Sequence, residues 1–141
     1  MRRNLNREQA FIDADLLIYL NCITDEEYRR SYEELYYDAI RTYVLYTDML
    51  VLDELVWVSR KKYNVPYDAT LSFVQNAVLP YISILAINSR ILDDFFRIIK
   101  TYKLKPSDAI HVATMLKHKI PTIISEDDDF DTIKEIKRVW L

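Results

Sequence analysis

Short apolar runs alternate with amphipathic stretches along this chain, and the alternation predicts strands interleaved with helices. Phe11–Ile12 ends a short buried strand; Asp13 stands at its carboxyl end, and Asp15 is placed to cap a helix over Leu16–Asn21. Thr24 with Glu27 three residues on has capping-box spacing and opens a long helix. Tyr32, Leu35, Tyr36, Ala39, Ile40 and Tyr43 recur on one face of it at helical period. Tyr46–Leu50 predicts a short strand leading into a helix that carries Glu54 and runs to about Tyr63. Tyr67–Val78 predicts another amphipathic helix, with Leu71, Val74 and Val78 on its stripe. Ile82–Ile87 reads as a buried strand, after which Ser89 caps a helix to about Tyr102. Pro106 starts the next helix, whose stripe is Ala109, Val112, Ala113 and Leu116. Thr122–Ser125 predicts a strand, Asp131–Ile136 a short helix and Arg138–Trp140 a final edge strand. The fold class is therefore α/β, a mainly parallel central sheet flanked by helices on both faces. In such folds ligands bind outside the carboxyl ends of the strands.

Acidic residues interrupt or border the apolar runs: Asp13 in AFIDADLLIYL, Glu54 in MLVLDELVWV, Asp108 in KPSDAIHVATML, and the cluster Glu126–Asp129 after PTIIS. An ionised carboxylate against an apolar core is costly unless compensated. Taken singly, each has a bland explanation as a helix cap or an ion pair. Jointly, the predicted topology gathers them at one edge, where carboxylates ~5 Å apart repel by roughly 3 kcal/mol per pair at an effective dielectric of ~20. Hard divalent cations such as Mg²⁺ or Mn²⁺ relieve that repulsion and take oxygen ligands, and an acid-only metal site is usual equipment for phosphoryl transfer.

Composition narrows the field. The 141 residues fit one domain, able to bury about two-thirds of its unfolded surface. There is no glycine at all, which excludes the Gly-rich phosphate cradles of P-loop and dinucleotide-binding enzymes. A net charge of −3 argues against a strongly basic nucleic-acid binder but leaves room for local or metal-borne phosphate contacts. The lone Cys22 points to a reducing compartment, and the basic start MRRNLNREQ leads into no apolar run of membrane-spanning length, so a cytoplasmic location is expected.

The remaining polar and aromatic residues have ordinary readings. His111, one turn after Asp108, fits a satisfied core histidine, and His118 a surface residue at a helix end. Ser107 with His111 lacks a third orienting group and makes no convincing nucleophile pair. Asp128 and Asp131 read as a solvated turn. Tyr32, Tyr36 and Tyr43 fit packing better than base stacking. Arg60, Lys61 and Lys62, close after Glu54, are candidates for phosphate contact, against the commoner role of a solvated charge run.

At the acidic positions the chain resembles the PIN domain family, typified by VapC-type toxin ribonucleases. FIDADLLIYL resembles the family's first motif, ending its strand in Asp13; LVLDELVWV resembles the Glu motif, giving Glu54; SDAIHVATML closely matches the third, giving Asp108. ISEDDDFDTI resembles the last motif and aligns Ser125, Asp127, Asp129 and Phe130. The resemblance implies a single PIN-like nuclease domain over residues 1–141. It further implies a metal-dependent endoribonuclease in which Asp13, Glu54, Asp108 and Asp127 hold one or two Mg²⁺ or Mn²⁺ ions. Asp129 is a further candidate metal ligand, and Asp15 and Ser125 are supporting residues. Metal-activated water would cleave RNA to a 5′-phosphate and a 3′-hydroxyl. A small antitoxin and a homodimer are the partners it implies. Asp15 stands where the family often has Asn or Ser, and among Glu126, Asp127, Asp128 and Asp129 only spacing from Ser125 favours Asp127. Two other readings fit the same residues: a non-catalytic PIN-fold interaction module, and a nuclease processing structured RNA or DNA within a larger assembly.

Overall fold

The computed structural model describes residues 7–141. Its strands are β1 (Gln9–Ile12), β2 (Val44–Asp48), β3 (Ile82–Leu85), β4 (Thr122–Ile124) and β5 (Lys137–Val139). Its α-helices are α1 (Ala14–Cys22), α2 (Glu26–Thr42), α3 (Met49–Tyr63), α4 (Tyr67–Phe73), α5 (Leu92–Tyr102) and α6 (Pro106–Lys117). All strand pairings are parallel, in the order β3-β2-β1-β4-β5. From β1 the chain steps through β2 to β3 on one side, then crosses back to β4 and β5 on the other. The order reverses between β1 and β4, and such a reversal opens a crevice at the carboxyl edge of the sheet. Right-handed crossovers send the helices of the two halves to opposite faces: α1 packs on α2 and α3, and α5 packs on α6.

Burial explains the strand sequences. Ala10, Phe11 and Ile12 of the central strand, and Ile123 and Ile124 beside it, are fully buried, as expected where helices cover both faces. Ile12 pairs with Ile124 and Phe11 with Tyr46, so the chain emerges side by side as Asp13, Ser125 and Asp48. No helix among the described residues is long and apolar enough to cross a membrane.

Several local expectations shift by a residue or change type. Asp13, not Asp15, caps α1, accepting from the Ala14 amide at 2.8 Å; Asp25, not Thr24, caps α2 through the amides of Glu27 and Tyr28. Asn88, not Ser89, caps the 3₁₀ turn before α5. The strand expected over Tyr46–Leu50 is Val44–Asp48, because Asp48 turns the chain into a helix by capping the Val51 amide at 3.1 Å. The helix expected over Tyr67–Val78 is α-helical only to Phe73 and continues as a π-turn over Val74–Val78, with Leu71 exposed rather than on the buried stripe. The Tyr36 hydroxyl donates to the Ala77 carbonyl in that turn at 2.5 Å, helping to satisfy its irregular backbone. A 3₁₀ turn over Asp128–Thr132 replaces the short helix expected over Asp131–Ile136, since Asp127 caps the chain earlier. Lacking glycine, the chain takes its left-handed positions with Asn64, Lys103 and Lys119.

Candidate metal centre

Two parts of the fold deliver the buried polar groups at the crevice. Asp13, which is 6% exposed, directly follows β1, and the first turn of α6 carries Asp108, 7% exposed, with His111 one turn further on. One ligating atom from each of Asp13, Asp108 and His111 lies within 4.8 Å of the others. Pro106 at the start of α6 orients that first turn, whose positive dipole end faces the carboxylates. Burial first, and then the Asp13 charge, push Asp108 up to about 6.

A network behind the trio fixes Asp13. The buried Ser125 hydroxyl lies 2.7 Å from Asp13 Oδ2 and 3.1 Å from Asp15 Oδ2, and it accepts from the Asp127 amide at 3.1 Å. Asp15 also accepts from the Glu126 amide at 2.9 Å. Burial and the Asp13 charge push Asp15 up to about 7, with those hydrogen bonds opposing. Asp15 thus ties α1 to the loop after β4 through Oδ2, while its Oδ1 accepts from the Leu16 amide in the first turn of α1 at 2.8 Å.

The other acids lie further out. Glu54 is exposed on α3 and falls outside the 4.8 Å group, yet partial desolvation and then the Asp13 charge raise its pKa. Asp127 is half-buried and groups instead with the exposed Asp128 and Asp129, because its carboxylate caps the 3₁₀ turn by accepting from the Asp129 amide at 3.0 Å. Its charge still contributes to raising Asp108. Glu126 turns away and accepts from the Tyr19 hydroxyl at 2.5 Å, within an aromatic cluster of Tyr19, Tyr32 and Trp140. Asp131 is not simply solvated: Arg138 grips it with two 3.0 Å hydrogen bonds and also donates to the Ser125 carbonyl, bracing the acidic turn.

Periodicity did not single out Asp48. It is fully buried, caps α3, and meets His111 Nδ1 at 2.7 Å. Burial lowers the His111 pKa, but the Asp48 hydrogen bond and the surrounding carboxylates outweigh it and leave the net shift upward. His111 is therefore a satisfied core histidine that also faces the acidic cluster. One signal was available: YTDMLVL repeats the strand–acid–helix pattern of FIDADLL.

These shifts set a stability trend. Asp15, Glu54, Asp108 and His111 all hold protons more tightly folded than unfolded, so unfolding releases protons as pH rises from 3.8 towards about 7. Asp131 and Glu135 shift the other way, but their stabilisation is complete once pH exceeds their unfolded values. In EDTA, the thermal midpoint is expected to fall by a few degrees, roughly 3–8 °C, between pH 5 and pH 8. A midpoint that rises across that window would contradict the strained carboxylate cluster.

Comparisons with known proteins agree on one architecture. A PIN domain family model matches residues 10–136. A toxin–antitoxin complex from Klebsiella pneumoniae is similar at TM-score 0.65 and 21% identity, over 92% of this chain and 96% of that one. A sarcin–ricin-loop-cleaving VapC toxin of Mycobacterium tuberculosis is similar at TM-score 0.71 and 15% identity, over 88% and 94%. A VapBC complex of Rickettsia felis bound to promoter DNA is similar at TM-score 0.69 and 12% identity, over 92% and 96%. At such identities the likeness is one of fold. No curated protein sequence matches.

Proposed function

This chain belongs to the PIN domain family, and on that premise we propose that it is a divalent-metal-dependent endoribonuclease, the toxin of a toxin–antitoxin pair. The observation that carries the reading is the buried grouping of Asp13, Asp108 and His111 at the crevice where the strand order reverses. The donors fit Mg²⁺ or Mn²⁺: hard carboxylate oxygens from two parts of the fold, close enough that the Asp13 charge helps raise the proton affinity of Asp108. Asp13 and Asp108 would hold the ion, with Glu54 and Asp127 extending the site towards solvent and Asp129 beside Asp127. A divalent cation supplies Lewis acidity there, lowering the pKa of water and offsetting the charge that builds up in phosphodiester hydrolysis. Ser125 and Asp15 hold the Asp13 carboxylate in place. Asp48 orients His111 and so sets which ring nitrogen faces the acids.

The similar structures include toxin–antitoxin complexes and an RNA-loop-cleaving toxin, which supports RNA as substrate and a small antitoxin as partner. A homodimer and a cytoplasmic location belong to the same proposal. The test is incubation of an unstructured mixed-sequence RNA with Mn²⁺ or Mg²⁺. Cutting that leaves 5′-phosphate ends and stops in EDTA is expected. Intact RNA at every metal and pH tested, from folded protein that binds Mn²⁺, would refute the nuclease and leave the interaction-module reading. A small basic or acidic protein co-purifying from the native host would favour the toxin over a processing nuclease.

A further inference from the structure

Beyond the acidic crevice, α3 carries a surface that the proposed chemistry does not use. A shallow hollow of about 500 Å³ is lined by Trp57, Arg60, Lys61, Asn64 and Tyr67. Trp57 is 55% exposed and Tyr67 46% exposed, two of several open aromatic rings on the chain and the two that border this basic hollow. Arg60 and Lys61, like Arg7, Arg30, Arg90 and the other lysines among the described residues, form no ion pair and keep their charge free at the hollow. Arg60 instead donates to Asn64 Oδ1 at 2.6 Å, which holds its guanidinium along the hollow. Lys62 sits 5.5 Å from the Tyr63 ring centre and adds positive charge nearby.

The helix C-terminus explains why cations gather here, since they complement the dipole. It does not explain an exposed tryptophan among them. Position on the helix does. At 1.5 Å per residue, Trp57 stands one turn and Lys61 two turns from Glu54, about 4.5 and 10.5 Å along the axis, both within about 60° of its azimuth. The face that shows Glu54 to the acidic crevice therefore continues into the hollow. Exposed rings with unpaired cations are the equipment of single-strand binding, where bases stack and phosphates meet charge. The acids along this path, Asp53, Glu54 and Asp68, are all exposed and leave Arg60 and Lys61 unpaired.

We propose that this hollow is a substrate shelf for unpaired RNA flanking the scissile phosphate, with bases stacked on Trp57 and Tyr67 and phosphates held by Arg60 and Lys61. The shelf rests on the nuclease reading for the site it serves. Its test separates the two. Binding of a short unstructured RNA to the full chain is followed in EDTA, by tryptophan fluorescence and by anisotropy of a labelled oligonucleotide, across a salt series. Cleavage is measured in parallel with Mn²⁺.

Trp57→Ala is expected to weaken binding roughly ten-fold or more, with Trp57→Phe retaining most of it. Arg60→Gln combined with Lys61→Gln should reduce the slope of log affinity against log salt by about 1.4, for two phosphates on a single strand. In cleavage, both changes should raise KM with little change in kcat. A wild type that cuts RNA, with unaltered affinity, salt slope and KM in these variants, would overturn the shelf and leave the nuclease standing. A wild type that binds RNA through Trp57 yet never cuts would uphold the hollow as a single-strand RNA site and overturn the nuclease. Absence of any RNA binding by the wild type would overturn the shelf.

Discussion

Asp108→Asn is expected to lower RNA cleavage at least ~100-fold while making the metal-free protein more stable at pH 8. The first effect follows from position: Asp108 is the one carboxylate grouped with both Asp13 and His111, so no neighbour can replace its charge. A loss of ~100-fold corresponds to about 2.7 kcal/mol of transition-state stabilisation, a modest demand on a group holding a divalent cation. The second effect follows from the raised proton affinity of Asp108, whose pKa of about 6 records the cost of holding its charge in a buried site beside Asp13. At pH 8 that cost is fully present without metal, and a neutral amide of the same shape removes it. The gain should be about 1–2 kcal/mol in EDTA, visible as a higher midpoint in urea. A variant that loses both stability and activity would mean that Asp108 serves the fold, not a metal.

Asp48→Ala is expected to cost about 3–5 kcal/mol of stability, the largest loss from any single polar change considered. Two interactions go at once. The Val51 amide at the start of α3 loses its cap, worth about 1 kcal/mol. His111, 1% exposed, loses the hydrogen-bond partner 2.7 Å away that satisfies its buried Nδ1. Asp48→Asn keeps the cap and should cost distinctly less. Urea unfolding of the two variants at pH 7 measures the difference; an Asp48→Ala loss below about 1 kcal/mol would show that His111 does not depend on Asp48.

Much of the architecture was legible because a parallel sheet covered on both faces leaves near-continuous apolar runs. FIDADLL, PTIISED and the α6 stripe are of this kind. The acids at their ends were legible for the same reason, since charge at the border of a buried run stands out. Capping was less so. Asp13 near Asp15 and Thr24 beside Asp25 offer neighbouring candidates of similar propensity; α1 begins after Asp13, and Asp15, inside its first turn, divides its oxygens between the Leu16 amide and the Ser125–Glu126 loop. The Asp48–His111 pair spans 63 residues, and no local period reports it. Similarly, the acidic run after β4 gave only spacing to choose its members. The fold separates them: Glu126 to Tyr19, Asp131 to Arg138, Asp127 to the cap nearest the crevice.

The central claim is that Asp13 and Asp108 form one divalent-cation site. Titration of the metal-free protein with Mn²⁺ near pH 7, read by calorimetry and by the paramagnetic resonance of free Mn²⁺, tests it most directly. Wild type should show a saturable site whose filling releases protons. Asp13→Asn and Asp108→Asn should each weaken it at least ten-fold while remaining folded. Unchanged Mn²⁺ affinity in both variants would contradict the account, leaving the buried carboxylates as strain without a metal to relieve it.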